Sequence, residues 1–422
     1  MLTRILPLII ALILLPTLYV HCLYVLPCTR WGAWRWLTFL PAACLTAYFL
    51  WAMQYEDLRP QAQPIIGAFV FILLLCTVPA LLFCIVDVLG RFVGWIAGLC
   101  LSGRATLIQR PARILALTVA LIAALILLHG YFLGSRHYVV HRQTIYFDNL
   151  PKAFDGYRIA LFSDMHIGTF STDRREEVQR IVDLVNSTEC DIILFAGDLV
   201  TAYADELSGH EQALASLHAP DGVVSILGNH DYPLYGRHTT RAEQIGHMRQ
   251  LIDRERSFGW TLLRNENISI SRQGERIAIC GVENDGNPPF PQLADLPKAT
   301  QGIPASMRYA LSHHADGSLP HTFTILLSHD PTHWRRRVLP DTYIDLTLSG
   351  HTHAGQFKLL GWSPVSHVYN EWSGTYVQGS QVLCVSDGVG ETLFPFRFGA
   401  WPQINVITLR RGNPSDAHDD TL

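Results

Sequence analysis

Charge is scarce in this chain. Asp, Glu, Lys and Arg make up 16% of its 422 residues, against 49% hydrophobic residues. That balance excludes an intrinsically disordered chain and is not the composition of an ordinary soluble protein. Paired cysteines are also lacking. Of nine cysteines, six (Cys22, Cys28, Cys44, Cys76, Cys84, Cys100) fall in the first 134 residues, where a small buried thiol is the plain reading. Cys190, Cys280 and Cys384 are scattered, and no CxxC occurs. This argues against a disulfide scaffold and leaves the redox compartment unread. An excess of positive charge is missing where nucleic acid would need it. Residues 1–134 hold 8 Arg and 3 acids; the remainder holds 24 basic and 33 acidic residues, a formal −9. That argues against nonspecific nucleic-acid binding. No internal repeat is visible.

What the chain does have is long apolar runs near its start. A bilayer takes about 20 apolar residues as helix. Ile5–Leu26, Trp36–Met53, Ile65–Val86 and Ile114–Leu133 meet that need, the second behind a Trp-rich entry at Trp31, Trp34 and Trp36. Phe92–Leu101 is shorter, flanked by Arg91 and Arg104, and reads as an interfacial or extended helix. The first run has no small-residue cleavage site, and Tyr19-Val20-His21 before Cys22 is a poor lipoprotein box, so it is expected to stay as a helix. The expected organisation is a bundle of about four transmembrane helices over 1–134, a globular domain over 135–411, and a frayed polar tail over 412–422.

Beyond residue 134 the pattern changes. Short apolar runs recur at Tyr138–Tyr146, Tyr157–Phe162, Ile192–Phe195, Val223–Ile226, Ile277–Cys280, Phe323–Leu327, Ile344–Leu348, Val382–Val385 and Ile404–Leu409. They read as strands, several of them covered on both faces. Helical patterns lie between them at Thr172–Asn186 and Thr239–Arg256. Alternating strand and helix predicts a layered α/β fold. Asp285–Pro304, rich in Pro and Gly, reads as a long surface loop.

The informative residues stand just after the strands. Ser163-Asp164-Met165-His166 follows one, Ala196-Gly197-Asp198 the next, then Gly228-Asn229-His230-Asp231, Ser328-His329-Asp330, and Ser349-Gly350-His351-Thr352-His353. Strand carboxyl ends converge on the ligand site of open α/β sheets. Gly197, Gly228 and Gly350 permit tight turns and close approach there. Any one motif alone is more often a turn or a hydrogen-bonded strand end. Five in succession are hard to explain structurally, because buried carboxylates and imidazoles need partners or metal to offset their desolvation. Asp oxygens, His nitrogens and an Asn carbonyl suit Mn, Fe or Zn, with no thiolate in the set. Seven such groups exceed one tetrahedral ion and suit two divalent metal ions that clamp a phosphate and activate a water.

Together these motifs resemble the calcineurin-like metallophosphoesterases, over roughly Tyr157 to Leu409. Ala354-Gly355-Gln356 and Pro395-Phe396-Arg397 look like the bacterial membrane-associated branch. The resemblance implies a four-layer α/β/β/α sandwich with the site at its strand ends. It implies that Asp164, His166 and His353 hold one metal, that Asn229, His329 and His351 hold the other, and that Asp198 bridges both. His230 is then a catalytic general acid or transition-state contact rather than a ligand. The phosphoprotein phosphatases of this family carry a second Asp and an Arg shortly after the Gly-Asp. Here Leu199-Val200-Thr201-Ala202 follows Asp198, which argues against that activity and leaves open what orients His230: Asp231 and Asp205 are candidates, and Asp231 reads equally as a turn residue.

The expected function is a membrane-anchored dimetal phosphohydrolase that cuts a phosphomonoester, phosphodiester or pyrophosphate bond. Its partners are the membrane and a phosphorylated small-molecule or lipid-linked substrate, with no nucleic acid. A cyclic-nucleotide or nucleotide phosphodiesterase is one alternative. A metal-binding membrane pseudoenzyme acting as a sensor is another, which intact His230 and a complete ligand set disfavour. Six arginines in the first and third loops (Arg30, Arg35, Arg91, Arg104, Arg110, Arg113) against Arg4 and Arg59 place those loops in the cytoplasm. Both termini and the globular domain are then expected outside, on a bacterial inner membrane.

Overall fold

The computed structural model describes residues 2–52, 62–100, 105–170, 174–236, 240–304 and 321–412. It contains two units, a helical one running to Gly134 and an α/β one beginning at Ser135. The tail after Gly412, and Arg59 and Arg104 of the loop reading, lie outside the described residues.

Among the described residues the helical unit has four α-helices: α1 (Leu2–Val20), α2 (Leu40–Ala52), α3 (Gln63–Cys100) and α4 (Ala105–Phe132). Among the described residues three segments are long and apolar enough to cross a membrane: Pro7–Val25, Gln63–Leu99 and Ile108–Arg136. The expectation of about four is corrected on the second run. Among the described residues it yields the 13-residue α2, about 20 Å of helix at 1.5 Å per residue against a hydrocarbon core of about 30 Å, and Met53 lies outside them. Of the two readings for Phe92–Leu101, the extended helix is the one found, because α3 runs unbroken to Cys100. Arg91, which flanks that stretch, pairs within the same helix. Arg91 Nε donates to Asp87 Oδ2 at 2.8 Å, and the Tyr19 hydroxyl donates to the same oxygen at 2.7 Å. Pro7 and Pro16 sit inside α1, and a π turn at His21–Val25 prolongs it.

Among the described residues the α/β unit holds two six-stranded mixed sheets. The first contains β1 (Val139–Phe147), β2 (Arg158–Phe162), β3 (Ile192–Phe195), β4 (Val223–Ser225), β5 (Thr261–Leu262) and β12 (Gln403–Arg411), in the order β1-β12-β2-β3-β4-β5. The second contains β6 (Glu266–Arg272), β7 (Glu275–Gly281), β8 (Thr324–Leu327), β9 (Leu346–Ser349), β10 (Gly374–Gln378) and β11 (Gln381–Val385), in the order β10-β11-β9-β8-β7-β6. β2 to β5 pair in parallel, as do β7, β8, β9 and β11.

Period-two alternation sorts each strand between two cores. Ile159 and Leu161 of β2, Ile192 and Leu194 of β3, Ile325 and Leu327 of β8, and Leu346 and Leu348 of β9 meet between the sheets. Their neighbours Ala160, Phe162, Ile193 and Phe195 face outward, under α5 (Glu176–Asn186) and α7 (Arg241–Ser257). A short helix, α6 (Glu211–Ala215), adds Leu214 to that layer. On the far side Cys280, Leu326, Leu383 and Val385 pack under Trp334 and Val338. The result is the four-layer α/β/β/α sandwich, and it explains why the central strands read as unbroken apolar runs. The stretch expected as a surface loop, Asp285–Pro304, is partly core: Leu296 and Ala299 form a helical turn buried in that outer layer.

Candidate active site

Five strand ends meet at one edge of the sandwich. Asp164 and His166 follow β2, Asp198 follows β3, Asn229 and His230 follow β4, His329 follows β8, and His351 and His353 follow β9. Asp164, His166, Asp198, His351 and His353 all have left-handed backbone, with φ between +44° and +74°. For non-glycine residues that conformation is costly, and its concentration here marks a functional site. The fold holds the turns by cross-links: Asp164 N–H donates to Gly197 O at 2.9 Å and His166 N–H to Asp198 O at 3.1 Å. Two glycines are required by space. A Cβ at Gly228 would collide with the Asp198 carboxylate, and one at Gly350 with that of Asp164.

The structure brings every residue of the expected set together. The ligating atoms of Asp164, His166 and His353 lie within 4.8 Å of one another, as do those of Asp198, His329 and His351, and those of His166, Asp198 and His230. Asn229 Oδ1 lies 2.7 Å from His351 Nδ1 and 3.1 Å from His329 Nε2. One oxygen, Asp198 Oδ2, lies 3.1 Å from His329 Nε2 and 3.5 Å from His166 Nε2, so it belongs to both groups.

The donor set fits divalent cations. His166 Nε2 and His353 Nε2 face each other at 3.1 Å, with Asp164 Oδ1 3.4 Å from His353 Nε2. Burial, joined by nearby positive groups, pushes His166 down to about 3 and His353 well below the usual imidazole range; burial also takes His351 down to about 4 against the opposing Asp330 charge. Neutral imidazole is the form that ligates. His329 moves the other way. Burial alone would lower it, but Asp198 and Asp164 raise it to about 10. Asp198 is held well below the usual range, its burial outweighed by His329, His230 and His166. The buried carboxylates demand a positive charge at this spot, and a proton on His329 supplies it where a cation would.

Second contacts fix the rings. His329 Nδ1 donates to Ala196 O at 2.7 Å, leaving Nε2 for the site. Arg397, fully buried, donates to the backbone carbonyls of Asp387 and His353 and lies 3.1 Å from His353 Nδ1. His351 Nε2 lies 2.8 Å from the Tyr369 hydroxyl and 3.4 Å from Asp330 Oδ2, a buried oxygen with no hydrogen-bond partner.

Neither of the two candidate acids orients His230. Its Nδ1 donates to the backbone carbonyl of Thr201 at 2.7 Å, and the Tyr235 ring stacks on it at 3.8 Å with a 6° tilt. Asp231 is occupied elsewhere, accepting from the amides of Asp198, Leu199, Val200 and Gly228 at 2.8–3.1 Å. The Asp205 carboxylate accepts from Gln250. Sequence reasoning also missed Tyr235 and Tyr369. Neither belongs to a strand-end motif; Tyr235 follows the Gly228–Asp231 motif, and Tyr369 arrives on the loop after His353.

A four-layer sandwich with Asp, Asn and His clustered at its strand ends defines the metallophosphoesterase class. The family model for calcineurin-like phosphoesterase matches residues 157–355. An uncharacterized metallophosphoesterase of Bacillus subtilis, YkuE, is 31% identical over 282 residues, 64% of this chain and 85% of that protein. An uncharacterized metallophosphoesterase of Aquifex aeolicus is 28% identical over 68% of this chain and 95% of its own length. A Bos taurus transmembrane protein with a metallophosphoesterase domain is 28% identical over 62% of this chain, which spans 54% of that protein. The chain belongs to the calcineurin-like metallophosphoesterases.

Proposed function

We propose that this protein is a membrane-anchored dimetal phosphohydrolase acting on a phosphomonoester, phosphodiester or pyrophosphate bond of a lipid-linked or nucleotide substrate. The observation that carries this reading is the Asp198 carboxylate shared between two clusters of inward-facing imidazoles. Asp164, His166 and His353 would hold one divalent ion, Asn229, His329 and His351 the second, with Asp198 common to both. Bound there, two ions (Mn, Fe or Zn) supply Lewis-acid polarisation of a phosphoryl oxygen and a nucleophile at neutral pH.

The remaining work falls to the chain itself. The Thr201 carbonyl keeps the His230 proton on Nδ1, so Nε2 is free to carry a second proton to the leaving oxygen. Tyr235, flat against that ring, restricts it to one plane while its hydroxyl accepts from Asn229 Nδ2 at 2.7 Å. The carbonyl does for His230 what a carboxylate would do, which accounts for the missing second Asp after Asp198. Residues 135–411 form the catalytic domain in this reading, and the arginine bias of the loops sets it outside the cytoplasm of a bacterial inner membrane.

The test is phosphate release by the purified full chain with Mn, Zn and Fe, on nucleotide, sugar-nucleotide and lipid phosphates. Hydrolysis abolished by chelator and restored by metal supports the proposal. Stoichiometric metal binding with no hydrolysis of any class would instead favour a sensor.

A further inference from the structure

Beside the site lies a stretch with unusual surface chemistry. From Leu359 to Asn370 the chain has no Asp, Glu, Lys or Arg. Leu359 and Trp362 exchange backbone hydrogen bonds at 2.9 and 3.0 Å, closing a tight hairpin with Leu360 at its tip. Leu360 is 98% exposed and Val368 75%, and Leu359 and Trp362 are exposed as well. From Ser135 onward there are nine exposed large apolar side chains among the described residues, and these four lie within ten consecutive positions. The clustering sets them apart from the scattered exposed leucines of any surface.

Local conformation sharpens the point. Leu360 has φ +51°, where Asn, Asp or Gly is at ease and leucine is not. A leucine kept there, pointing into water, needs a reason outside the local fold. The loop is also rigidly tied to the site. It leaves just after His353, the Ser363 hydroxyl donates to Ala354 O at 2.8 Å, and Tyr369 reaches His351 Nε2.

We infer that the Leu359–Val368 loop enters the bilayer interface and delivers an amphipathic phosphate, one with acyl or prenyl chains, to the metal-ligand cluster. The bilayer is the occupant because the same chain has apolar helices able to span it, and β1 starts seven residues after α4 ends, a tether of at most about 25 Å. A charge-free tip bearing Trp and Leu is suited to the interface. The choice of substrate rests on the phosphohydrolase reading; the membrane contact does not.

The experiment uses the full chain in lipid nanodiscs. Leu360 is replaced by p-benzoylphenylalanine, and in a control Val377, 67% exposed on β10, is replaced likewise. Irradiation should give lipid adducts at position 360 and few at 377. No lipid adduct at 360, equal yields at both positions, or a cross-link from 360 to another protein chain would overturn the inference. Alongside, Leu360→Asp, which suits the left-handed backbone, should slow hydrolysis of phosphatidic acid in vesicles about tenfold. Its rate on water-soluble bis(p-nitrophenyl) phosphate should stay within about twofold. Equal loss on both substrates would overturn the delivery role. If the unsubstituted chain hydrolyses neither, the phosphohydrolase reading fails, and the cross-linking arm still decides the membrane contact.

Discussion

Glu255 offers a test of the energetics under the site. It lies near the end of α7, almost fully buried, and its Oε1 has no hydrogen-bond partner. Burial, with the Asp231 charge adding, pushes its carboxyl from 4.5 up to about 8. In the unfolded chain it ionises near its ordinary value. Between pH 4.5 and 8 the folded protein therefore binds one more proton than the unfolded chain, so stability falls as pH rises through that window and levels off above it. A displacement of that size corresponds to a ceiling of roughly 5 kcal/mol, and relaxation of the site would reduce it to about 2–4 kcal/mol. Glu255→Gln keeps the shape and removes the titration. The variant should match the parent at pH 5 and gain several degrees in Tm by pH 8. The assay is thermal unfolding of the full chain in detergent from pH 5 to pH 9, compared at each pH. Parallel curves for parent and variant would refute the reasoning, because they would mean that Glu255 titrates alike in both states.

Other outcomes follow from the site. His230→Ala should keep its metal content yet lose roughly 10²–10⁴ in turnover, with a smaller loss for a nitrophenolate leaving group that hardly needs a proton; equal losses would exclude the acid role. Thr201→Val should leave turnover within about threefold, since the backbone carbonyl orients His230 and the Thr201 hydroxyl has no partner; a loss as large as that of His230→Ala would contradict this. Tyr369→Phe and Asp330→Asn should each weaken metal affinity about 10–100-fold through His351, read by metal titration rather than by rate. An alkaline phosphatase fusion after Leu422 should be active if the domain is exported; an active cytoplasmic reporter there would reverse the orientation.

Much of this molecule was legible in the sequence because burial writes itself as pattern. The central strands β2, β3, β8 and β9 are covered on both faces, so they read as short apolar runs, and the polar residues that end them stand out. The strands that escaped notice are β5, β6 and β10. β5 has two residues, and β6 and β10 are edge strands with polar, half-exposed faces that carry no such signal. The orientation of His230 was illegible for a different reason. Its partner is a backbone carbonyl, which any residue could provide, so no side-chain motif announces it. In the helical unit, composition could not separate a helix that spans from one that is too short. Nor could it show that Asp87 and Arg91 pair within a continuous α3.

The central claim is a pair of ions joined by one carboxylate. Metal analysis of the full chain, purified without chelator, should find about two divalent ions per chain, and Asp198→Asn should lower occupancy at both positions together. One ion per chain, unchanged by Asp198→Asn, would contradict the account.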